Sequence, residues 1–462
     1  MADLVIKNGL VVTPQGLIEG GVAIEGGKIL DVSGDASLPR AREVVDARGN
    51  WVLPGALDPH VHLGIGAGRG QGEAKFAGDF RTESISAAVG GITTIISSAL
   101  FGGGAMKTLL PCIARAREIG GYESLVDFKF NAFMMSEAHL AEIPRLREEG
   151  VTSFKFLMAY KGEEGRQVGA PGIDWGFAYQ GFEAIARLGP PALAMVHAEE
   201  ADIIYRLRER LKAQGRGDLA AWNDSRPGIC EAMHIFSAGL IAQEVGAPCY
   251  IVHVSARESV DALRYFKDRG TRVFGETCAH YLVLTGETDI GLVGKVNPPL
   301  REESDSQSLW QGLRDGTLDN IGSDHCAYQR SQKEEGGVWD SMPGFGGMAA
   351  TLAILVSQGV HRGRLTLEQL ARLTSENTAR LFGLYPKKGV LAPGSDADII
   401  IIDPNQEWTL GAASLKSASD FSVFEGMRVK GRVVKTFVRG KLVAQDGQPV
   451  AEAPWGRFAP AA

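Results

Sequence analysis

The chain has few cysteines and no long apolar run, and both features limit the classes of protein to which it can belong. Only 5 of its 462 residues are cysteine, and no two of them form a Cys-x-x-Cys pair. Widely spaced cysteines in odd number predict the reduced thiols of a cytoplasmic protein. No stretch of about 18 apolar residues occurs, so we expect no transmembrane helix and no membrane partner. The opening residues lack the basic and apolar regions of a signal peptide.

Clusters of basic residues are missing as well. The formal net charge is −7, and no run of lysine and arginine stands out. Nucleic acid is therefore not an expected partner, because neutralising its phosphates requires a basic surface. With 462 residues, the chain is long enough for a barrel of roughly 250 residues and a second unit.

Short apolar runs recur along the middle of the chain, and each leaves room for a helix after it. Eight candidate strands fall near 55–62, 91–98, 126–133, 151–158, 192–197, 248–254, 271–276 and 318–324. Eight such units favour a closed parallel barrel over an open doubly wound sheet. We therefore predict an α/β protein with a (β/α)8 TIM barrel over residues 54–388.

The two ends of the chain show a different sequence pattern, in which runs of β-favouring residues alternate with glycine turns. These runs lie before residue 53 and return after residue 388. The pattern predicts one small β-sandwich domain built from residues 1–53 and 389–462. Two separate edge hairpins are the alternative that the sequence leaves open.

Side chains that bind divalent metals stand at the ends of the candidate strands. His60 and His62 share one strand face, because side chains alternate along a strand. Imidazoles and carboxylates delivered from strand ends are how a barrel builds a catalytic metal site. Packing explains a lone histidine pair well, but it explains the whole set poorly. The candidate ligands are His60, His62, Lys155, His197, His253 and Asp324.

Lys155 is the most unusual candidate, since it lies inside an apolar strand between two phenylalanines. Burial would lower its pKa and leave a neutral amine, which can take up CO2 and become a carbamate that bridges two metals. A lysine that pairs with a barrel carboxylate or reaches solvent is the open alternative. His197 and His253 would then hold the second ion, and Asp324 would bind the first and act as general base.

Residues near these ligands are expected to have supporting roles. We predict His280 and His325 as orienting residues rather than ligands. Asp58 and Asp79 are expected to support the histidine pair and the neighbouring loops. Glycine-rich segments at 64–72 and 161–165 predict loops over the mouth of the barrel.

The motifs together resemble the amidohydrolase superfamily and, within it, the cyclic amidohydrolases: hydantoinase, dihydropyrimidinase, allantoinase and dihydroorotase. The resemblance spans almost the whole chain. It is carried by GALDPHVH at 55–62, SFKFLMAYKG at 153–162, VHAE at 196–199, VHVS at 252–255, NPPLR at 297–301, GSDH at 322–325, LFGLYPKKG at 381–389 and GSDAD at 394–398. It implies a two-metal site on the six candidate ligands, with Zn²⁺ as the expected ion and Lys155 carboxylated. It also implies homodimers or homotetramers.

The resemblance further suggests residues that contact the substrate. In the hydantoinase branch, a tyrosine five residues beyond the modified lysine hydrogen-bonds the developing oxyanion, and Tyr160 stands there. Hydantoinases typically carry serine before Pro-Pro-Leu-Arg, where this chain has Asn297. Dihydroorotases often have asparagine there, but the arginine that they carry after the histidine pair is absent. Asp340 stands in place of a substrate-contacting asparagine. We expect all three residues to contact substrate.

The expected activity is that of a binuclear-metal hydrolase that opens a small cyclic amide such as a hydantoin or dihydropyrimidine. A metal-bridging hydroxide would attack the ring carbonyl, which Tyr160 polarises, and Asp324 would pass the proton to the leaving nitrogen. Dihydroorotate, allantoin or another amide is the alternative substrate. A non-catalytic dihydropyrimidinase-like scaffold is the alternative from another functional class.

Overall fold

The computed structural model describes residues 1–63, 78–98, 108–167, 170, 172–452 and 454–461. The loop predicted at 64–72 lies outside these residues. The segment 161–165, also predicted as a loop, lies within them, and residues 162–165 belong to a short helix, Gly162–Gln167.

The chain begins with five strands of a mixed sheet. They are β1 (Ala2–Thr13), β2 (Gly16–Glu25), β3 (Lys28–Ser33), β4 (Ala41–Asp46) and β5 (Trp51–Pro54). β1 pairs antiparallel with β2 and parallel with both β4 and β5. Gly26 and Gly27 connect β2 to β3, and both have positive φ. A two-residue turn with positive φ at both positions has a twist that matches the flanking strands. Glycine is favoured there because it adopts positive φ without steric cost.

All eight predicted barrel strands are present, in sequence order around a parallel sheet. They are β6 (Ala56–His62), β7 (Ile92–Ser98), β8 (Asp127–Phe133), β9 (Ser153–Leu157), β10 (Leu193–His197), β11 (Cys249–Ile251), β12 (Val273–Cys278) and β13 (Asn320–Gly322), followed by the short β14 (His325–Cys326). β13 pairs with β12, and β14 pairs with β6. The eighth strand therefore closes the ring in two pieces, with Ser323 and Asp324 between them. The predicted TIM barrel is confirmed.

The apolar runs were a reliable guide because the barrel strands are covered on both faces. Every residue of β7, β8 and β10 is buried. A strand with helices on one face and a packed barrel interior on the other reads as a continuous apolar run rather than an alternating one.

Helices surround the barrel, and several begin at a side-chain cap. They are α1 (Phe80–Val89), α2 (Leu110–Glu123), α3 (Glu137–Glu148), α4 (Gly162–Gln167), α5 (Trp175–Leu188), α6 (Ala201–Ala213), α7 (Leu219–Asp224), α8 (Gly228–Val245), α9 (Arg257–Lys267), α10 (Ala279–Val283), α11 (Glu303–Asp315), α12 (Arg330–Glu334), α13 (Thr351–Ile354), α14 (Leu367–Ala371), α15 (Asn377–Leu381) and α16 (Ala412–Leu415). Asp79 accepts the Thr82 amide at the start of α1, as an N-cap does. None of the helices in the described ranges is long and apolar enough to cross a bilayer.

The last strands return to the first sheet. They are β15 (Ile399–Thr409), β16 (Arg428–Val438), β17 (Lys441–Gln445) and β18 (Gln448–Pro449). β15 pairs antiparallel with β5, so both ends of the chain contribute to one sheet with its own apolar core. The prediction of one β unit from both termini is confirmed, and the alternative of two separate hairpins is wrong.

A buried ion cluster joins the terminal sheet to the barrel. Lys388 is 1% exposed, and its Nζ lies 2.6 Å from Asp127 Oδ2 and 2.6 Å from Asp398 Oδ2. Asp396 Oδ2 lies 3.1 Å away, and Arg439 also contacts Asp127. Asp127 begins barrel strand β8, whereas Asp398 precedes β15 of the terminal sheet. Although burial alone lowers the pKa of Lys388, the three carboxylates raise it above its ordinary value.

Candidate metal centre and active site

The predicted metal ligands converge at the carboxyl ends of the barrel strands. His60 and His62 lie in β6, Lys155 in β9, His197 at the end of β10, His253 after β11 and Asp324 between β13 and β14. In a parallel barrel these strand ends share one rim. A cavity at this rim is lined by His62, Lys155, His197, His253 and Asp324, together with Tyr160 and Asn297.

Three ligand atoms form a tight triangle around the first possible ion position. Nε2 of His60 lies 3.2 Å from Nε2 of His62. Oδ1 of Asp324 lies 3.2 Å from the former and 3.1 Å from the latter. Tetrahedral zinc with bonds of about 2.0 Å places its ligand atoms about 3.3 Å apart. The triangle therefore has the size that one shared ion requires.

The hydrogen bonding of His60 indicates what the triangle can hold. Its Nδ1 lies 2.9 Å from Oε1 of Glu276, so this nitrogen donates to the carboxylate. Nε2 is then the atom that faces Asp324 and His62. In its neutral form the ring can offer the Nε2 lone pair to a metal. The donor set fits a divalent metal.

His197 and His253 form a second pair of ligand-type side chains. Nε2 of His197 lies 2.9 Å from Glu199 Oε2, so that nitrogen is the donor and Nδ1 carries the lone pair. Nδ1 of His197 lies 2.9 Å from Nε2 of His253. Burial and the neighbouring imidazole lower the pKa of His253 well below its ordinary value, which leaves a neutral ring. Neutral imidazoles are the form that binds metal.

The backbone turns two of the ligands inward. His253 has φ of 43° and Asp324 has φ of 49°, a left-handed conformation that is costly for residues other than glycine. Each such residue stores about 1–3 kcal/mol of strain, and such residues cluster at functional sites. The left-handed turn at Asp324 interrupts the eighth strand between β13 and β14.

Lys155 is buried among these groups. The side chain is 2% exposed, its Nζ contacts His60 Nε2, and it lies 5.5 Å from the ring centroid of Phe133. Burial lowers the pKa of Lys155, which favours the neutral amine. Among the described residues, no carboxylate lies within ion-pairing distance of Lys155. Both open alternatives, a lysine that reaches solvent and one paired with a carboxylate, are therefore absent here.

Tyr160 and Asn297 lie side by side in the cavity. Nδ2 of Asn297 donates to the Tyr160 hydroxyl oxygen over 3.3 Å. Burial raises the pKa of Tyr160 further above its ordinary value, so the phenol keeps its proton. Because the oxygen already accepts from Asn297, the O–H proton is available to a group in the cavity. The arrangement suits a donor to a substrate carbonyl.

Asp340 does not join them. Its side chain is exposed, and it is absent from the described residues that line the cavity. The wall on this side is formed instead by Met342, Pro343 and Gly344. The substrate contact of Asp340 stays a prediction, and the structure places its exposed carboxylate outside the described lining of the cavity.

Comparison with known proteins gives the family. Residues 243–443 match the model of the amidohydrolase family, and a D-hydantoinase from Geobacillus stearothermophilus is 36% identical over 98% of this chain and 95% of its own length. The chain belongs to the amidohydrolase family. An L-hydantoinase from Paenarthrobacter aurescens is 34% identical over 99% of this chain and 98% of its own. The crystal structure of a dihydropyrimidinase from Brevibacillus agri matches with a TM-score of 0.90 at 33% identity, over 100% of both chains.

A buried glutamate that the sequence analysis missed supports both halves of the site in this amidohydrolase. Glu276 is fully buried in β12 and accepts from the ring of His60 and from the backbone amide of His253, 3.1 Å away. The hydroxyl of Tyr250 donates to its other oxygen over 2.6 Å. Partners of this kind set the tautomer and orientation of a ligating imidazole. No local signal marked Glu276, because its three donors come from three different strands or loops.

Glu199 plays the corresponding part for His197. It accepts from Nε2 of His197 and from Arg226 Nη1, which lies 3.1 Å away. Although burial raises its pKa, Arg226 and His197 lower it to about 2, so Glu199 is a carboxylate. The other arm of Arg226 reaches Glu164 over 2.7 Å. The VHAE motif contained Glu199, and its position two residues after a ligand was the signal that could have found it.

The predicted supporting residues have different outcomes. Asp58 accepts the backbone amides of His60 and Ser323, so it ties the first ligand strand to the eighth. His325 turns away from the ligands and lies 2.7 Å from Glu83 of α1, where it anchors the barrel to its helix. His280 packs 5.0 Å from the ring of Phe345 and does not line the described part of the cavity, so the orienting role expected for it is not seen.

Proposed function

We propose that this amidohydrolase opens a small cyclic amide, of the hydantoin or dihydropyrimidine kind, by hydrolysing its ring C–N bond. Its relatives are named D-hydantoinase, L-hydantoinase and dihydropyrimidinase. The observation that carries the proposal is that five ligand-type side chains line one cavity with Tyr160, while the sixth, His60, contacts Asp324 directly behind it. Dihydroorotate and allantoin remain the competing substrates, and the scaffold alternative is disfavoured because all six ligands are retained.

Two divalent cations, proposed as Zn²⁺, fit this donor set. His60, His62 and Asp324 would hold one, His197 and His253 would hold the other, and Lys155 would lie between them. Four imidazoles, which bind metal in their neutral form, and one carboxylate would neutralise little of the charge of two dications. Addition of CO2 to the neutral Nζ of Lys155, with release of one proton to solvent, would supply a second anion. When bound, such ions lower the pKa of water and polarise a carbonyl oxygen.

The residues of this chain would then orient the substrate and move its protons. Tyr160 would donate its O–H to the ring carbonyl as negative charge develops on the oxygen. The carboxylate of Asp324 would accept a proton from the attacking water and return it to the leaving nitrogen. Asn297, which is 5% exposed and has no partner for Oδ1 among the described residues, would accept from a polar N–H of the ring.

The cavity has an apolar side as well as a polar one. Phe133, Leu157, Met342 and Pro343 line it next to the ligand set. Apolar walls beside a few convergent polar groups are typical of small-molecule sites. The cavity therefore suits a cyclic amide that carries a hydrophobic substituent.

We also propose that the protein forms a homodimer or homotetramer. Helix α8 carries exposed apolar side chains at helical spacing, and they are Ile229 (50% exposed), Met233 (41%), Phe236 (38%) and Leu240 (57%). An exposed apolar stripe of this kind favours contact with another protein surface. Analytical ultracentrifugation tests the assembly. If the mass in solution is unchanged in Leu240→Glu, the exposed stripe of α8 is not part of the subunit interface.

A cytoplasmic location remains our proposal for the protein. Cys230, Cys249, Cys278 and Cys326 are buried thiols that form no disulfide among the described residues. Burial raises the pKa of Cys249, so its thiol is unreactive. Reduced thiols of this kind suit a reducing compartment.

A substrate panel tests the activity. Hydantoin, 5-substituted hydantoins, dihydrouracil, dihydroorotate and allantoin would be scored by ring opening, with metal content measured on the same sample. We expect turnover of hydantoins or dihydrouracil by protein that binds two ions per chain. Preference for dihydroorotate or allantoin would favour the competing substrates. Protein prepared with ample zinc and bicarbonate that binds no ion would favour the scaffold.

A further inference from the structure

Two chain segments that are not paired with each other in a β-sheet form one wall of the cavity. Asn297 comes from the segment 295–297, and Met342, Pro343 and Gly344 come from the segment 341–344. The first segment precedes β13 and the second follows β14. Contacts outside the barrel sheet must therefore hold the two segments together.

A buried lysine lies where the two segments meet. Lys333 of α12 is 0% exposed, and its Nζ donates to the carbonyls of Lys295, Met342 and Gly344 over 2.8, 2.7 and 2.6 Å. An ammonium has three N–H donors, and here all three are used. A neutral amine has only two donors and would face one carbonyl with its lone pair. Burial and the neighbouring Lys295 lower the pKa of Lys333, but the three donor contacts favour the charged side chain.

No ion pair accounts for this charge. Among the described residues, no carboxylate lies within ion-pairing distance of Lys333, and its neighbouring cation is Lys295. Burial of a charge without a counter-ion is unfavourable unless hydrogen bonds replace its hydration. The three carbonyls supply those bonds, and two of them belong to residues that line the cavity. The cost of burying the cation is therefore offset by hydrogen bonds to the two wall segments, and the ring of Tyr328 lies 5.7 Å from Nζ.

Two further contacts run between the same segments. The backbone amide of Gly344 donates to the carbonyl of Lys295 over 2.9 Å. Nζ of Lys295 donates to the carbonyl of Ser341 and lies 4.0 Å from the ring centroid of Trp222. Lys333 is the centre of this arrangement, because it alone contacts both segments at three points.

We propose that Lys333 is a positioning residue: its ammonium fixes segment 341–344 against segment 295–297 and so sets the shape of the wall against which the substrate ring binds. The inference rests on the proposed function for its kinetic consequence, since the wall faces the same cavity as Tyr160 and Asp324. Lys333 itself does not touch the reacting atoms.

Lys333→Met tests the proposal, because it keeps the length of the side chain and removes all three donors. We expect KM for the best cyclic amide of the panel to rise about tenfold or more, with a change in kcat of less than about threefold, because uniform binding is lost rather than transition-state stabilisation. The metal content should equal that of the unsubstituted protein, since none of the six candidate ligands is altered.

Lys129→Met is the matched control. Lys129 is also 0% exposed and donates to a backbone carbonyl, that of Gly150, but Gly150 does not line the described part of the cavity. We expect its KM to stay within about twofold of the unsubstituted protein. An equal rise in KM in both variants would mean that loss of any buried lysine has this effect, and it would overturn the proposal.

Hydrogen exchange gives a readout that needs neither metal nor turnover. In Lys333→Met, peptides that cover 341–346 should exchange about tenfold faster or more, and they should be unchanged in Lys129→Met. Unchanged exchange, or faster exchange with an unchanged KM, would overturn the proposal. If no cyclic amide is turned over by the unsubstituted protein, the proposed function fails, and the exchange measurement still decides whether Lys333 holds the wall. If Lys333→Met does not fold, Lys333→Gln serves for both measurements.

Discussion

Replacement of Tyr160 by phenylalanine tests the proposed chemistry with the smallest change. The variant removes one oxygen from a side chain that is 9% exposed and leaves the ring in its packing. The hydroxyl oxygen accepts a hydrogen bond from Asn297 Nδ2, and the hydroxyl can donate its own proton to a group in the cavity. Because burial keeps the phenol protonated, the substitution removes a neutral donor and no charge.

The expected magnitude follows from the role of that donor. Loss of one oxyanion donor lowers kcat by about 10²–10³-fold, which corresponds to about 3–4 kcal/mol of transition-state stabilisation. KM should change much less, since the bond strengthens as negative charge develops on the carbonyl oxygen. The metal content should not change, because Tyr160 lies beside the candidate ligands without being one.

The assay compares kcat and KM for ring opening with metal content and thermal stability of the same preparation. Tyr205→Phe is the matched control, since the hydroxyl of Tyr205 accepts from the backbone amide of Lys161 over 2.8 Å. This control removes a phenol oxygen that hydrogen-bonds to Lys161, the residue after Tyr160, whereas Tyr205 itself does not line the described part of the cavity. A wild-type kcat in Tyr160→Phe would refute the oxyanion role. An equal loss in both variants would assign the effect to the loop instead.

Three further variants test other parts of the structure. Lys155→Ala should lose bound metal and activity, with partial recovery when a short carboxylic acid is supplied, and unchanged metal content would contradict the carbamate. Glu276→Gln should weaken metal binding by about 10–100-fold in chelator competition, because His60 loses its charged acceptor. Lys388→Met should lower the free energy of unfolding at pH 7 by about 3–5 kcal/mol, because it removes the cation that three buried carboxylates share. The folded pKa of Lys388 is raised and that of Asp127 is lowered, so this contribution is present between about pH 4 and 10 and declines outside that window. Urea unfolding should therefore show a smaller deficit at about pH 3 than at pH 7, and an equal deficit at both pH values would contradict the ion cluster.

The barrel and its ligand set were predictable from local patterns. Strands such as β7 and β10 are covered on both faces, so their apolar runs stood out without knowledge of their partners. The candidate ligands were recognisable because His60, His62 and Asp324 end such runs, and few residue types bind divalent metals. Lys155 was conspicuous for the opposite reason, as a charged residue within an apolar run.

The residues that support the site were not predictable in this way. Glu276 and Arg226 are ordinary charged residues in the sequence, and their roles arise from partners more than 20 residues away. Asp340 shows the reverse case: its position in a motif suggested a substrate contact, which stays a prediction, and only the fold revealed that its side chain is exposed.

The order of the residues alone thus determined which segments become barrel strands and which side chains are candidates for metal binding, because burial and ligand type are properties of short stretches. Only the tertiary structure decided which nitrogen of His60 faces Glu276, which turn lies at Asp324, and how Lys333 joins two distant segments. Those features depend on hydrogen bonds between parts of the chain that meet only after the barrel has closed.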